Sequence, residues 1–315
     1  MYPARFDYLA ATSLNEAIEA KAADGDEARV LAGGQSLLPL MKLRFATPAR
    51  LIDINRIPDL DRIERHNGHL HIGALVRHAD IVDSHEIFGA MESAAPMIAD
   101  PLIRNLGTLC GSVAHCDPEG DWNAVLLATG ADVVALGPSG ERTISIGEFV
   151  EGVFTNTLAP DEMVVAVNVP VPSGRSGGTY MKLKRKIGDY ATVGVAVHLE
   201  LGDDDTITDV GLALTSVTPI NTKVGAAEDL LRGSVPSDEL FAEAADLVAA
   251  ACEPRDDVRG TAEWKRHVAH VYTRRGLALA LEQARTGKAA DDQPTELTQT
   301  DRGAATDTDR DTDPR

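Results

Sequence analysis

The stretch ARVLAGGQSLLPLMKLR, residues 28–44, decides the fold of the first part of the chain. Its apolar run at 28–32 predicts a short buried strand. Gly33 and Gly34 break that run, and a compact, helix-like apolar segment follows at 37–43. The order therefore predicts a strand, a glycine turn and a helix in succession.

The flanking sequence extends this unit on both sides. Ser13 and Glu16 have the spacing of a capping box, which predicts a helix beginning just after Ser13. A second apolar run, LIDI at 51–54, predicts a neighbouring strand. Residues 1–55 are thus expected to form a small α/β unit.

The rest of the chain divides at a cluster of prolines and glycines between 170 and 178. Before it, residues 86–106 resemble a helix that leads into a glycine-rich loop at 107–112. After it, two β-rich runs at 192–201 and 206–214 flank GDDD, which is typical of a hairpin. Two helical patterns follow, so the C-terminal part is expected to be an antiparallel sheet with helices.

Composition excludes several classes of function. The chain has 315 residues, 43% of them hydrophobic, and a net charge of −19. Such a charge disfavours non-specific binding to nucleic acid or anionic membranes, and it fits a halophile or a highly soluble cytosolic protein. No apolar run approaches the roughly 20 residues of a membrane span, and the N-terminus has no signal-peptide pattern, so we expect a cytoplasmic protein. Residues 288–315 are expected to be a disordered acidic tail.

The three cysteines are too few for most cysteine-based sites. Cys110, Cys116 and Cys252 contain no CxxC pair, which disfavours a disulfide framework or a zinc site. An iron–sulfur cluster usually takes four thiolates, so this chain cannot ligate an ordinary cluster alone. We also find no Ser/His/Asp triad or pair of carboxylates that would support hydrolysis, and we assign no catalytic residue and no metal ligand.

The first candidate site is AGGQS at 32–36, directly after the predicted strand. A diphosphate needs converging backbone N–H groups and no Cβ in the way, which two glycines beside an amide and a hydroxyl can supply. A plain tight turn explains the same glycine pair.

A second glycine-flanked, hydroxyl-bearing loop, GTLCGS, lies at 107–112. Two such loops without a Walker lysine or a GxGxxG motif suggest a nucleotide held between two backbone nests. His115, Cys116 and Asp117 follow closely, but three consecutive side chains diverge and rarely bind one metal ion. A loop that packs or binds a ligand is therefore the preferred interpretation.

A third candidate is KLKRK at 182–186, four cations in an otherwise acidic chain. It is either a basic strand that faces an anionic cofactor or a solvated charge run. Tyr190 follows it closely and is suited to stacking on an aromatic ring or to ordinary core packing.

Together the three motifs resemble the FAD-binding medium subunits of the molybdenum hydroxylases, with aerobic carbon monoxide dehydrogenases the nearest group. The resemblance covers about residues 1–287. It implies an α+β fold, with a two-subdomain FAD-binding module similar to the vanillyl-alcohol oxidase type, followed by a C-terminal α/β domain with an antiparallel sheet and helices. The expected domains are 1–175, with subdomains 1–55 and 56–175, then 176–287 and the tail 288–315.

The resemblance also implies a set of FAD-binding residues. The two loops are expected to cradle the pyrophosphate, Asp121 to bind the adenosine side, Lys182 to contact the cofactor and Tyr190 to lie near the isoalloxazine ring. Two apolar positions fall where the family makes further flavin or adenine contacts. The complete set is Ala32, Gly33, Gly34, Gln35, Ser36, Ile98, Thr108, Leu109, Cys110, Gly111, Ser112, Asp121, Val164, Lys182 and Tyr190.

Two positions depart from the family pattern. Cys110 replaces the first glycine of the second loop, which would be costly if φ there were positive. Gln35 stands where carbon monoxide dehydrogenases often have histidine. These departures bear on the tightness of FAD binding, on whether a thiol near FAD adds chemistry and on the substrate.

The implied function is electron transfer. FAD would receive electrons from 2Fe-2S clusters in a small partner subunit and pass them to an external acceptor, while a large subunit binds molybdopterin. A dimer of heterotrimers is the expected assembly. Two alternatives stay open, namely a self-sufficient flavoprotein oxidase and a non-enzymatic nucleotide-binding or assembly module.

Overall fold

A computed structural model describes residues 2–287, and the predicted tail at 288–315 lies outside these residues. Strands and helices are mixed through the first half, and the second half has a strand-rich part followed by helices. The strands are β1 (Asp7–Ala10), β2 (Ala28–Leu31), β3 (Arg50–Asp53), β4 (Ile63–His66), β5 (His69–Gly73), β6 (Asp132–Gly137), β7 (Gly140–Ser145), β8 (Val150–Gly152), β9 (Thr155–Asn156), β10 (Met163–Pro170), β11 (Arg175–Leu183), β12 (Val193–Leu201), β13 (Ile207–Thr215) and β14 (Thr222–Lys223).

Most of the helices in the first half are short, and the two longest helices lie in the second half. The α-helices are α1 (Leu14–Asp24), α2 (Leu37–Leu43), α3 (His78–Asp83), α4 (Ala90–Ala94), α5 (Pro101–Arg104), α6 (Leu109–His115), α7 (Asp121–Thr129), α8 (Ile146–Phe149), α9 (Gly225–Leu231), α10 (Asp238–Ala251) and α11 (Ala262–Thr286). Within residues 2–287, no helix is long and apolar enough to cross a bilayer.

The N-terminal unit has the predicted α/β form. Its sheet is parallel with the order β1-β3-β2, and β2 and β3 therefore end at the same edge. Helix α1 begins where the capping box predicts, because the Ser13 side chain accepts a hydrogen bond from the Glu16 N–H.

A second, antiparallel sheet with the order β4-β5-β10-β6-β7 follows. The helix predicted over 86–106 is wrong as a single element. The structure has α4, a 3₁₀ turn at Ala95–Met97 and α5 instead. Pro96 and Pro101 explain the breaks, because proline cannot donate the backbone hydrogen bond of a continuous helix and it restricts the preceding residue.

The loop predicted over 107–112 is also corrected. Helix α6 begins at Leu109, since the Thr108 hydroxyl accepts a hydrogen bond from the Gly111 N–H at 3.1 Å. Most of the second motif is therefore the first turn of a helix.

The C-terminal sheet is antiparallel with the order β11-β12-β13-β14, and β12 and β13 form the predicted hairpin. One face packs on α10 and α11 in a hydrophobic core of its own. The other face sends Tyr180, Ala196 and Ala213 into the core of the preceding sheets and helices. The two halves thus share a buried interface, while the division at residue 175 stays a prediction.

Candidate cofactor-binding site

The first motif forms the connection from β2 to α2. The backbone N–H groups of Gly33, Gly34, Gln35 and Ser36 donate to no acceptor among residues 2–287. Gly34 has a φ of +71°, a conformation that side chains other than glycine rarely adopt. Four successive backbone donors without an acceptor are the kind of group that a backbone anion site uses.

The two predicted loops meet at Gly33. A Cβ atom on this residue would overlap the Leu106 carbonyl oxygen and lie 2.7 Å from Gly107 Cα. Only glycine, which has no Cβ atom, lets the two segments approach this closely. Glycine is therefore needed at position 33 because of this close contact. The sequence predicted both loops, and the structure shows that they are adjacent.

Two residues that the sequence interpretation missed hold these loops together. Asn55 Nδ2 donates to the Ala32 carbonyl oxygen at 2.9 Å. Arg77 donates through Nη2 to Asn55 Oδ1 at 2.5 Å and through Nη1 to the Leu106 carbonyl oxygen at 2.6 Å. Asn55 could have been found from sequence, because it follows a strand parallel to β2 and so lies at the same sheet edge.

A cavity of about 350 Å³ adjoins this pair of residues. Asp59, Asp61 and Asp80 line it together with Arg56 and Arg77. Three carboxylates against two guanidinium groups disfavour a diphosphate. We therefore place no cofactor group in this cavity.

Cys110 presents its thiol to the protein interior. The residue is helical without a positive φ, and its Sγ lies 3.5 Å from the Ile72 carbonyl oxygen. Burial raises the pKa of the thiol to about 12, so it is protonated and unreactive at neutral pH. The departure at this position therefore costs no backbone strain, and the backbone N–H of Cys110 has no acceptor among residues 2–287.

The neighbouring His115, Cys116 and Asp117 are engaged separately. The His115 ring contacts Phe154 with centroids 5.0 Å apart, and the Cys116 thiol is buried 3.3 Å from the Val113 carbonyl oxygen. Asp117 accepts a hydrogen bond from the Glu119 N–H at 2.9 Å. These contacts match the divergent directions expected from three consecutive side chains.

Asp121 and Lys182 form a buried ion pair. Lys182 Nζ lies 2.8 Å from Asp121 Oδ2, and the two residues are 2% and 7% exposed. The other carboxylate oxygen of Asp121 accepts a hydrogen bond from the Tyr180 hydroxyl at 2.6 Å. The basic run is thus split, because Lys182 is buried in β11 while Lys184–Lys186 lie in the loop that follows.

The two apolar positions are buried in one hydrophobic core. Ile98 follows Met97, whose carbonyl oxygen accepts a hydrogen bond from Lys182 Nζ at 3.2 Å, so Ile98 lies beside the ion pair. Val164 lies on β10 opposite Ala135 of β6. Ile98 is therefore brought close to Lys182, and the structure gives no comparable link for Val164.

Tyr190 lies after the 184–189 loop and is half exposed. Partial burial and the nearby Asp117 carboxylate raise the pKa of its phenol. Gly188 of the same loop packs near Asp100, and Arg259 donates to the Ala191 carbonyl oxygen at 3.3 Å. Arg259 also donates to Glu119 at 2.9 Å, so Tyr190 lies beside the segment that leads to Asp121.

Apart from Val164, the predicted residues therefore form two groups. Around Gly33 lie the free N–H groups of the first loop and of the start of α6, a donor set that fits a diphosphate, while Arg77 holds the two loops together. Around Asp121 lie Lys182, Ile98 and Tyr190, which offer one ammonium, one apolar side chain and one aromatic ring. That combination fits the polar edge and the flat face of an aromatic ring system.

Comparison with known proteins identifies the family of the chain. Residues 4–172 match the family described as FAD binding domain in molybdopterin dehydrogenase, and residues 178–280 match the CO dehydrogenase flavoprotein C-terminal domain. The chain belongs to the FAD-binding medium subunits of the molybdenum hydroxylases. This membership confirms the resemblance and the fold class, including an FAD-binding module followed by the C-terminal domain.

Members of this family with different names are similar over their whole lengths. The carbon monoxide dehydrogenase medium chain of Hydrogenophaga pseudoflava is 39% identical over 283 residues, covering 89% of this chain and 98% of the relative. Subunit alpha of the 6-hydroxypseudooxynicotine dehydrogenase complex of Paenarthrobacter nicotinovorans is 36% identical, covering 93% and 100%. The chain is an oxidoreductase subunit of this family, and its cofactor is FAD.

A solved structure supports the same assignment. Carbon monoxide dehydrogenase from Hydrogenophaga pseudoflava lacking the Mo-pyranopterin moiety superposes with a TM-score of 0.86 at 40% identity, covering 90% of this chain and 99% of that chain. Similarity of this extent includes both the FAD-binding module and the C-terminal sheet with its helices.

Proposed function

We propose that this chain is the electron-transfer subunit of a molybdenum hydroxylase of the carbon monoxide dehydrogenase type. It takes electrons from 2Fe-2S clusters in a small partner subunit and passes them through FAD to an external acceptor. A large partner subunit binds molybdopterin and oxidises the substrate. The assembly is a dimer of heterotrimers in the cytoplasm.

One observation carries the cofactor site. The first loop presents four free backbone N–H groups, and Gly33 lets that loop touch the second one. All fifteen residues predicted to contact FAD belong to this proposed site. The two loops hold the pyrophosphate, and Asp121, Ile98, Val164, Lys182 and Tyr190 surround the remainder of the cofactor.

Bound FAD supplies a centre that accepts electrons singly and releases them as a pair. The residues of the chain bind and orient it. The nest around Gly33 fixes the diphosphate, and Lys182 is held in place by Asp121 and the Met97 carbonyl oxygen. Tyr190 covers a ring face and excludes water, while the protonated Cys110 thiol takes no part.

The partner subunits are proposed from the chemistry this chain lacks. Its three cysteines are fewer than the four thiolates of an ordinary cluster, and all three are buried with no disulfide among residues 2–287. Electrons therefore come from a second chain. The relatives named above belong to dehydrogenases with different substrates, which fits a substrate that is recognised by the large subunit.

Gly33→Val tests the cofactor site. The branched side chain would push the two loops apart, so purified protein should retain less than about a tenth of the wild-type flavin. Far-UV circular dichroism should stay close to wild type, because the substitution lies in a connection outside the strands and helices. The measurement is flavin absorbance per mole of protein after reconstitution with FAD.

Gly225→Val is the matched control, since apart from its chain neighbours and the backbone of its own helix no atom lies within 4 Å of the Cβ position of Gly225. Normal flavin content in Gly33→Val would remove the first loop from the site. Wild-type protein that binds no FAD would overturn the proposed function. Turnover of a substrate by this chain without partner subunits would identify a self-sufficient oxidase instead.

A further inference from the structure

The Asp121–Lys182 pair has a third member that neither the sequence motifs nor the family resemblance marked. Tyr180 is fully buried, and its hydroxyl donates to Asp121 Oδ1 at 2.6 Å. Tyr180 and Lys182 lie two residues apart on β11 and so share one face of the sheet. Both reach across the interface to Asp121, the first residue of α7.

The backbone of Tyr180 is fixed as firmly as its hydroxyl. Its N–H donates to Ser93 Oγ at 2.7 Å, which anchors β11 to α4. A Cβ on Gly194 of β12 would overlap the Tyr180 hydroxyl oxygen, so the sheet leaves a space that this hydroxyl fills. The phenol therefore has one position, and that position is set by both halves of the protein.

This contact determines how Asp121 meets Lys182. With Oδ1 occupied by Tyr180, the carboxylate turns Oδ2 toward the ammonium. A second N–H of Lys182 donates to the Met97 carbonyl oxygen at 3.2 Å. An ammonium has three donors, and the third has no acceptor among residues 2–287, so its direction follows from the other two.

Loss of the hydroxyl would disturb this balance. Asp121 Oδ1 would become a buried acceptor without a donor. Lys182 would then have to neutralise more of the carboxylate charge. The ammonium would be drawn toward Asp121, and its third N–H would be less available to a ligand. The Tyr180 hydroxyl thus controls the charge that the pair presents.

We propose that Tyr180 is a positioning residue for the FAD site, which through Asp121 aims the third N–H of Lys182 at the flavin end of the cofactor. Because Asp121 is paired with Lys182, this proposal puts Asp121 beside the flavin and not on the adenosine side that the resemblance implies. The proposal rests on the proposed function, because it needs FAD beside Lys182. Tyr180 itself does not contact FAD.

Tyr180→Phe keeps the ring and removes only the hydroxyl. The FAD dissociation constant should rise about tenfold, which is the loss of about one hydrogen bond to a charged group. At saturating FAD the flavin midpoint potential should become more negative, because the carboxylate charge is less neutralised and the ammonium is further away. Asp121→Asn removes that charge and should move the potential in the opposite direction.

Tyr272→Phe is the matched control, since Tyr272 is equally buried but lies in the separate core of the C-terminal half. It should leave the potential unchanged even if it lowers the melting temperature. An unchanged potential in Tyr180→Phe at saturating FAD would show that the residue only packs. If Tyr180→Phe fails to fold, the potential of Asp121→Asn decides, and equality with wild type overturns the proposal.

The two proposals fail in different ways. A wild-type protein without FAD would overturn the proposed function. A wild-type protein that binds FAD, together with variants whose potentials match it, would overturn only the role of Tyr180.

Discussion

At the scale of single residues, His78 shows how the second loop is supported. The imidazole is 5% exposed, and its Nδ1 accepts a hydrogen bond from Trp122 Nε1 at 3.1 Å. Its backbone N–H donates to the Gly107 carbonyl oxygen at 2.9 Å. A neutral ring with Nδ1 as acceptor must carry its proton on Nε2, so the tautomer is fixed.

Protonation of this ring is unfavourable in the folded protein. Burial, reinforced by Arg104 and Arg77, lowers the pKa of His78 from 6.5 to about 4. A depressed histidine pKa means that the unfolded chain binds more protons between these values. Stability should therefore fall as the pH drops from about 6.5 to 4, and this residue should contribute on the order of 3 kcal/mol to that fall.

Denaturant unfolding at a series of pH values, compared between wild type and His78→Asn, would measure this contribution. The variant should lose part of the slope between pH 4 and 6.5, and an exposed histidine changed in the same way, His66→Asn, serves as control. An NMR titration that places the His78 imidazole pKa near 6.5 would contradict the expected burial effect.

At the scale of elements, α6 shows where glycine motifs mislead. The residues GTLCGS predict a loop, because two glycines flank a hydroxyl residue. The structure converts most of the motif into helix, since Thr108 caps the first turn and Leu109 and Cys110 are buried. The helix cap and the burial of these side chains outweigh the preference of glycine for irregular structure. The Cys110 thiol contacts the carbonyl oxygens of Ile72 and Gly73, and the sequence around Cys110 does not predict that contact.

The loop from Lys184 to Tyr190 brings a partly exposed aromatic ring to the candidate site. Tyr190 is half exposed, so Tyr190→Ala should not unfold the protein. If the ring packs on the flavin, the variant should lose about 1–3 kcal/mol of contact and burial, or one to two decades in FAD affinity. Electron transfer to an external dye should fall with flavin occupancy and recover with excess FAD.

Ile187→Ala is the control for this loop. Ile187 is 83% exposed, and the variant removes an apolar side chain from the same segment. Fluorescence titration with FAD would compare the two variants. Wild-type affinity in Tyr190→Ala together with lost activity would move Tyr190 to a subunit contact or a proton path.

The sequence predicts the site unevenly for a physical reason. Free backbone donors at 32–36 are signalled by glycine, and Lys182 is signalled by the basic run around it. Arg77 and Tyr180 carry no such signal, because each acts through a partner at least 20 residues away, Asn55 and Asp121. Long-range pairs of this kind follow only from the packing of the sheets.

At the scale of the whole molecule, the C-terminal sheet joins two cores. One face of the sheet packs on α10 and α11, and the opposite face contributes Tyr180 to the core of the first half. The ion pair between Asp121 and Lys182 lies at the same junction. If FAD binds beside this pair, as proposed, cofactor binding and the docking of the two halves depend on the same buried surface, and neither half is expected to bind FAD alone.

Removal of residues 288–315 tests where this folded unit ends. Helix α11 is closed by Gly287, which has a φ of +66° and whose N–H donates to the Gln283 carbonyl oxygen at 2.8 Å. The removed segment has eight acidic and four basic residues, and Leu297 is its one large apolar side chain, too little to offset about 1–2 kcal/mol of ordering entropy per residue. The truncated protein should match the full chain in flavin content, melting temperature and co-purification with the partner subunits. A loss of co-purification at normal flavin content would instead make the segment a docking element, and a loss of flavin would extend the cofactor site beyond Gly287.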